Sequence, residues 1–243
     1  MQQVVPERPQ DLQRRRPQQE LADCTRVLLA CRGEDGLAGR LLPTPLEPAG
    51  DVILVSWLLI GDVDGYAGSK NVAVSVPARV GEHTGKCCVL EYIDLDMGLA
   101  AGREYWSYPK KGGDFVWEQD GPRLRLDCRR HGDLLFRSTV TLGDEAADGW
   151  PDEVGYPPIG PSSLQVRHYA PTPFGVPDHA DVLRIDYPNS VQYESTRATA
   201  TLEVTSGPRD DLDVLGGLDV LAARVDRHAF DFPLGEVVDS RAI

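Results

Sequence analysis

Short runs of apolar and β-branched residues recur along most of this chain, and Gly, Pro and Asp residues separate one run from the next. Such runs are typical of β-strands, and the residues between them are typical of turns. Most of these spacers are too short to hold the helices that connect parallel strands, so antiparallel pairing is expected. The pattern predicts an antiparallel barrel or sandwich rather than a doubly wound fold. The candidate strands are CTRVLLAC, DVILVSWLLI, NVAVSVPARV, KCCVLEYI, RLRLDCRR, LLFRSTVTL, SLQVRHYA, DVLRIDY and TRATATLEV.

Three segments depart from the strand pattern and are candidate helices. GEDGLAGRLLP is short and ends at a proline, whereas DLDMGLAAGREYW carries apolar residues at helical spacing behind Asp94 or Asp96 as an N-cap. DVLGGLDVLAARV is a weaker candidate because Gly216 and Gly217 interrupt it. The Pro-rich GWPDEVGYPPIGPSS is expected to be a long loop, since strand-like runs resume after it. The prediction is an α+β chain, predominantly antiparallel β, with a few helices.

The first twenty residues differ in composition from the rest. Residues 1 to 20 are rich in Gln, Pro and Arg and contain little that can be buried, which predicts a disordered or loosely attached tail. The hydrophobic share of the chain, 41%, is sufficient for a substantial core. Residues 21 to 243 are therefore expected to form a single domain.

Charge and cysteine content exclude several classes of partner. A formal net charge of -13 argues against nucleic acid and against an anionic membrane surface, because both require a basic face. No apolar run approaches the roughly 20 residues of a membrane span. The five cysteines are odd in number and show no C-x-x-C spacing, so they are expected to be reduced thiols in a cytoplasmic protein.

No cofactor signature is present in the sequence. The five histidines are scattered without the spacing of metal ligands, so no metal site is expected. Neither phosphate-binding glycine motif occurs, and therefore no nucleotide is implied. We expect a protein that works without a cofactor.

A lysine doublet is the strongest chemical signal. Lysine is rare in this chain, and two of its four occurrences are adjacent, within GREYWSYPKKGGDF at residues 102 to 115. Arginine cannot lose its proton in a protein, whereas burial and a neighbouring ammonium both favour the neutral, nucleophilic amine of lysine. The pattern predicts an activated amine walled by the three aromatic residues before it, although a doublet of lysines is also typical of a solvated surface. These three residues are Tyr105, Trp106 and Tyr108.

Two segments around the doublet resemble the acetoacetate decarboxylase family. YIDLDMGLAAGREYWSYPKK resembles the family signature, in which Y-x-D leads through an Ala-rich helix to G-R-E and then to Y-P-K-K. CRGEDGLAGRLLPTPLEP is similar to the strand, short helix and L-P-x-P-L-E turn upstream of it. The resemblance implies a cone-like closed β-barrel that holds the lysines in an internal cavity, and a homo-oligomer.

The resemblance also implies roles for individual residues. Lys110, the first lysine of Y-P-K-K, is expected to form a Schiff base, and Lys111 to keep its amine reactive. Arg103 and Glu104 match the G-R-E segment. For these two residues a catalytic role and a structural role, as an ion pair or helix-end cap, both stay open.

The chain departs from the family at three positions. Ser56 and Gly68 stand where the decarboxylases have a pair of glutamates, and Cys24 stands where they have an arginine on the first strand. Arg26 lies two residues further and therefore on the same strand face, where it is a candidate replacement. Small residues in place of the glutamates imply a cavity for a larger substrate. Asp62, Asp64 and Glu91 are other available carboxylates.

These features favour an enzyme that condenses Lys110 with a small-molecule ketone or aldehyde. The iminium then serves as an electron sink for aldol, dehydration or cyclisation chemistry, or for decarboxylation, on an intermediate of specialised metabolism rather than acetoacetate. One alternative is a β-keto acid decarboxylase. Another is the same fold used as a non-covalent cyclase or a ligand-binding pocket.

Overall fold

The computed structural model of this protein describes most of the chain beyond its first segment. The described residues are 24–61, 68–157, 159, 161–170, 175–187, 190–230 and 233–243. The predicted tail, residues 1 to 20, lies outside these ranges, as do the candidate carboxylates Asp62 and Asp64.

The described residues are rich in β-strands, and every run predicted as a strand lies within one or extends past its end by at most two residues. Where one face of a strand is buried, apolar and polar positions alternate with the period of two that the sequence shows. The strands are β1 (Cys24–Arg32), β2 (Glu47–Pro48), β3 (Ile53–Ile60), β4 (Ser69–Val80), β5 (His83–Ile93), β6 (Lys110–Gly112), β7 (Asp114–Asp120), β8 (Arg123–Arg130), β9 (Asp133–Ala146), β10 (Ser163–Tyr169), β11 (His179–Ile185), β12 (Val191–Val204), β13 (Asp219–Ala229) and β14 (Glu236–Ala242).

These strands form one mostly antiparallel sheet, as predicted. The order along its main path is β14-β11-β10-β5-β4-β3-β1-β13-β12-β9-β8-β7, with β2 beside β4 and β6 beside β5. The parallel pairs within the described chain are β5 with β10 and β5 with β6. The path over these residues has two ends, at β14 and β7, so closure into a barrel stays a prediction.

The sheet curves so that one face packs on itself. Val55 and Trp57 of β3 belong to the same buried cluster as Leu126 of β8 and Phe136 of β9, although four strands lie between β3 and β8 in the sheet order. The intervening residue Ser56 points to the opposite face, which lines a cavity. The core therefore occupies one face of the central strands and the cavity occupies the other.

Two α-helices, α1 (Leu37–Leu41) and α2 (Asp96–Trp106), match the two stronger helix predictions. The N-cap prediction for α2 is wrong, because Leu95 is the N-cap and no side chain caps the helix. Asp94 instead accepts a hydrogen bond from the backbone N–H of Lys70 at 2.7 Å.

The weaker helix prediction, DVLGGLDVLAARV, is wrong. The segment forms a short 3-10 helix, Asp213–Leu215, and then β13. The two glycines end the helical turn, and β13 lies between β1 and β12 with backbone pairing on both sides. A second 3-10 helix, Asp152–Val154, lies within the segment predicted as a long loop.

The five cysteines are all buried as free thiols, so packing rather than cross-linking holds the described fold together. Among the residues that the structure describes, the helices are too short or too polar to span a bilayer.

Candidate active site

Lys110 is positioned by the end of α2 and by β5. Ser107 adopts a left-handed conformation (φ 58°) that terminates the helix, and the N–H of Tyr108 donates to the carbonyl of Gly102 at 3.0 Å. The chain then enters β6, which pairs parallel with β5 so that Lys110 lies opposite Glu91. The turn between helix and strand therefore sets the direction in which the lysine points.

The side chain of Lys110 passes directly over the helix backbone. A Cβ built on Gly102 would lie 2.5 Å from both Cδ and Cε of Lys110 and 3.1 Å from its Nζ. Real Cβ atoms do not approach other heavy atoms this closely, so any other residue at this position displaces the lysine. The glycine of the G-R-E segment thus makes room for the amine.

The Lys110 amine faces a buried carboxylate. Its Nζ lies 3.3 Å from Oε1 of Glu91 and 5.7 Å from the centre of the Tyr108 ring. Glu91 is buried, and the same Oε1 accepts a hydrogen bond from Nδ2 of Asn71 at 2.6 Å. This carboxylate is the group best placed to exchange a proton with the amine.

Lys110 and Glu91 lie on the wall of a cavity of about 450 Å³. Leucine and isoleucine side chains of β1 and β3 form an apolar part of this wall, and Ser56 lies among them. Polar and charged side chains come from β1, β4, β5, β6 and β13. They are Arg26, Asn71, Ser75, Lys86, Glu91, Lys110, Arg224 and His228. The volume and the mixed lining suit a small polar organic molecule.

A chain of hydroxyl groups borders the cavity near Lys110. The hydroxyls of Tyr108 and Tyr187 lie 2.7 Å apart, and Oγ of Ser163 lies 3.1 Å from the Tyr187 hydroxyl. Burial raises the pKa of Tyr108 well above its usual value and also raises the pKa of Tyr187. Both phenols therefore keep their protons at neutral pH and can donate them to a bound molecule.

Lys111 lies on the opposite face of β6. Its Nζ donates to Oδ1 of Asp210 at 2.8 Å and lies 5.8 Å from the centre of the Tyr92 ring. Tyr92 belongs to the buried core, whereas the Lys111 side chain is partly exposed. Because adjacent residues of a strand point to opposite faces, the doublet does not bring its two amines to one cavity. The expected arrangement, with Lys111 beside the Lys110 amine as an unpaired cation, is therefore not what the structure has.

Arg103 and Glu104 lie on the exposed side of α2. Nη1 of Arg103 donates to the backbone carbonyl of Lys110 at 3.2 Å, so this arginine ties the end of the helix to β6. The residues that line the cavity do not include either side chain. Of the two interpretations left open by the sequence, the geometry of Arg103 favours the structural one.

The predicted pocket residues separate into two groups. Arg26, Ser56 and Tyr108 lie on the cavity wall. Trp106 instead donates from Nε1 to the carbonyl of Pro233 at 2.7 Å and packs edge-on against Tyr105, with ring centres 5.7 Å apart. Neither of these two aromatic residues is among the residues lining the cavity, nor is Gly68, which directly precedes β4.

Several cavity residues were not singled out from the sequence. Lys86 and Tyr187 lie on the wall, and Glu91 is a buried partner of Lys110 rather than one of several available carboxylates. The rarity of lysine was a usable signal for Lys86, because it is one of only four lysines in the chain. Tyr187 follows β11, and no local pattern marks it.

The sequence comparisons agree with this architecture. The acetoacetate decarboxylase (ADC) family matches residues 5–242. Acetoacetate decarboxylase 3 of Mesorhizobium japonicum is 25% identical over 199 residues, which cover 82% of this chain and 76% of that protein.

Solved structures show the same fold. Acetoacetate decarboxylase from Legionella pneumophila superposes with a TM-score of 0.80 at 15% identity, covering 92% of this chain and 88% of that one. The enduracididine biosynthesis enzyme MppR, complexed with the condensation product of pyruvate and imidazole 4-carboxaldehyde, superposes with a TM-score of 0.74 at 16% identity, covering 91% and 89%. At these identities the likeness establishes the fold alone.

The mostly antiparallel α+β fold is that of acetoacetate decarboxylase-like proteins. The match over residues 5–242 shows that this chain belongs to the acetoacetate decarboxylase family, as a divergent member.

Proposed function

We propose that this protein is an enzyme in which Lys110 forms a Schiff base with a keto or aldehyde substrate and the iminium drives a lyase reaction. One observation carries the proposal. The Lys110 amine lies on the wall of a cavity of about 450 Å³, 3.3 Å from the buried carboxylate of Glu91.

The groups around Lys110 suffice for the covalent steps. Glu91 takes a proton from the ammonium, and the neutral Nζ attacks the carbonyl carbon to form a carbinolamine. Tyr108 donates a proton to the oxygen, which leaves as water and yields the iminium. A bond then breaks at the carbon next to the iminium carbon, and its electron pair moves into the iminium to form an enamine. The enamine is protonated on carbon, and hydrolysis of the resulting iminium frees the lysine.

Two bonds can break to supply those electrons. With a β-keto acid, the carboxylate leaves as CO2, as the names of the curated relatives suggest. With other carbonyl compounds, a C–H or C–C bond next to the iminium breaks, which leads to aldol, dehydration or cyclisation chemistry. Ser56 on the cavity wall, where the decarboxylases have a glutamate, favours the second group and a substrate other than acetoacetate. The condensation product bound to MppR is an example of such chemistry in this fold.

Reductive trapping tests the proposal. The protein is treated with borohydride together with acetoacetate, pyruvate and a panel of larger oxo acids and aldehydes, and the modified peptide is identified by mass spectrometry. We expect the adduct on Lys110, and CO2 release separates decarboxylation from the other reactions.

Two lysine variants make the test specific. Lys110→Ala is expected to lose at least 95% of the adduct, whereas Lys70→Ala retains it, because Lys70 pairs with Asp94 away from the cavity. An adduct that persists in Lys110→Ala overturns the assignment. Full turnover in Lys110→Ala without any adduct identifies a pocket that works non-covalently.

A further inference from the structure

A second lysine lies on the cavity wall and is not used by the proposed mechanism. Lys86 is a residue of β5, and its backbone N–H donates to the carbonyl of Ser162 at 3.0 Å, so the strand around it is held in place. Within the described part of the chain, no side-chain hydrogen bond or ion pair engages its ammonium. The other three lysines each lie near a carboxylate: Lys70 at 3.6 Å from Asp94, Lys110 at 3.3 Å from Glu91, and Lys111 at 2.8 Å from Asp210.

Two arginines add to the positive charge at this part of the cavity. Nη2 of Arg26 lies 2.8 Å from Oδ2 of Asp226, and Nε of Arg224 lies 3.5 Å from Oδ1 of the same carboxylate. Asp226 is fully buried and also accepts a hydrogen bond from Ser195 at 2.7 Å. The two arginines therefore share one carboxylate, and Lys86 adds a third cation to the same cavity wall.

Glu91 on the same wall is paired with Lys110, and two further titratable groups near Lys86 are uncharged at neutral pH. Burial, and then the charge of Arg26, lower the pKa of His228 on β13 to about 4. Burial raises the pKa of the Cys88 thiol, two residues along β5, well above its usual value. Neither group supplies a negative charge at neutral pH, so the excess positive charge stays uncompensated.

The arginines also have unused donors. Nε of Arg26 and Nε of Arg224 are buried and have no hydrogen-bond partner among the described residues. A buried donor without a hydrogen-bond partner is costly, and an anion that enters the cavity can accept from it. Burial, and then the charge of Arg26, lower the pKa of Lys86 to about 8, which leaves most of the ammonium protonated at pH 7.

We propose that Lys86, with Arg26 and Arg224, binds a carboxylate of the substrate at a distance from the carbonyl that Lys110 attacks. Glu91, the partner of Lys110, lies five residues beyond Lys86 on β5, which corresponds to about 15 Å of extended backbone. The long side chains of the two lysines can shorten this separation, so the gap between their amines is smaller than the backbone distance. A molecule that contacts both lysines has its carboxylate several bonds from its carbonyl. The substrate class is thus an oxo acid with a remote carboxylate, and this inference deepens the proposed function and rests on it.

Three six-carbon probes separate the two functional groups. Hexanoate has the carboxylate alone, hexan-2-one has the carbonyl alone, and 5-oxohexanoate has both. Hexanoate binding is measured by calorimetry at pH 7, and the carbonyl compounds by the concentration dependence of borohydride trapping. We expect 5-oxohexanoate to bind at least tenfold more tightly than hexan-2-one.

Lys86→Met is expected to weaken the binding of 5-oxohexanoate at least tenfold and to abolish hexanoate binding. Its affinity for hexan-2-one should stay within twofold of wild type. Lys86→Arg retains the charge and is expected to stay within about threefold for both acids. The wild-type affinity for 5-oxohexanoate should fall above pH 8, whereas that of Lys86→Arg should not. Lys70→Met is the matched control. The thermal midpoint of Lys86→Met should not fall, because the substitution removes an unpaired, half-buried charge.

The outcomes for the two proposals are distinct. If hexanoate binds the wild type but no carbonyl compound is trapped, the anion subsite stands and the Schiff-base function fails. If trapping occurs but 5-oxohexanoate and hexan-2-one bind equally well, or if Lys86→Met weakens both alike, the subsite is overturned.

Discussion

Gly102 shows how a single residue without a side chain controls the position of the proposed nucleophile, Lys110. The absence of a Cβ at this position allows the Lys110 side chain to cross the last turn of α2 and enter the cavity. Since effective attack on a carbonyl needs the amine in a narrow range of positions, a displacement of about 1 Å costs on the order of a hundredfold in rate. We therefore infer that the glycine is needed to position the amine, not to form the helix.

Gly102→Ala is expected to reduce the rate of trapping on Lys110 by about 10- to 100-fold without lowering the thermal midpoint. Alanine favours a helix by up to about 1 kcal/mol over glycine, which offsets the local clash. The matched control is Gly39→Ala in α1, where a new Cβ meets only Cγ of Pro48 at 3.8 Å. Wild-type trapping rates in Gly102→Ala would contradict this role.

Strand β6 is held from both faces by different side chains. On one face Lys110 reaches Glu91, and on the other Lys111 donates to Asp210. Asp210 also accepts two hydrogen bonds from Nη1 of Arg130, at 2.9 and 2.8 Å, and one from the hydroxyl of Tyr92 at 2.8 Å. Lys111 thus connects a three-residue strand to a buried ionic cluster.

Burial raises the pKa of the Asp210 carboxyl, but the hydrogen bonds from Lys111, Tyr92 and Arg130 outweigh it, so the net shift is downward. A carboxyl with a lowered pKa in the folded state contributes stability above its unfolded pKa. That contribution is lost as the pH falls through the folded value.

Lys111→Met is expected to lower the free energy of unfolding by about 1 kcal/mol, because Asp210 keeps Arg130 and Tyr92 as partners. Asp210→Asn is expected to cost more, about 3 kcal/mol, since it leaves two cations without their carboxylate. Urea unfolding measures both changes. The pH profile of trapping should be the same in Lys111→Met and wild type. A displaced profile with unchanged stability would instead favour tuning of Lys110 by its neighbour.

The whole molecule is strongly acidic, yet its cavity contains a concentration of positive charge. The formal net charge is -13, whereas Arg26, Lys86 and Arg224 all lie on the cavity wall. This separation of charge favours entry of an anion into a protein whose other surfaces repel it. The Cys88 thiol beside these cations does not offset their charge, because burial raises its pKa well above the usual value and keeps it protonated.

Acid stability of the whole fold should depend on His228. Its pKa is about 4 in the folded protein because of burial and the charge of Arg26, against about 6.5 in an unfolded chain. The unfolded state therefore binds a proton that the folded state refuses, and stability falls as the pH decreases from about 6.5 to about 4. Thermal midpoints measured across this range should decline in wild type and decline less in His228→Gln. Equal slopes would show that other groups control acid unfolding.

Much of the strand pattern was predictable because its cause is local. Alternating apolar residues and turn-forming spacers marked every strand of eight or more residues except β13, and the residues of Y-P-K-K marked Lys110. The two stronger helix signals were likewise confirmed within a few residues. The helix prediction for DVLGGLDVLAARV was wrong because its apolar spacing fits a helix as well as a strand. Only the pairing of this segment with β1 and β12 selects the strand.

Tertiary contacts decided which side chains share the cavity. Strand β6 has three residues and exists only because it pairs with β5, so the opposite directions of Lys110 and Lys111 had no local signal. The side chains of Lys86 and Cys88 on β5 both face the cavity. Between Cys88 and Leu90 the pairing of β5 with β4 shifts by one residue, so beyond this bulge the opposite set of side chains faces the cavity. Without this bulge Leu90 would face the cavity. With it, Glu91 does, and the carboxylate meets the amine of Lys110.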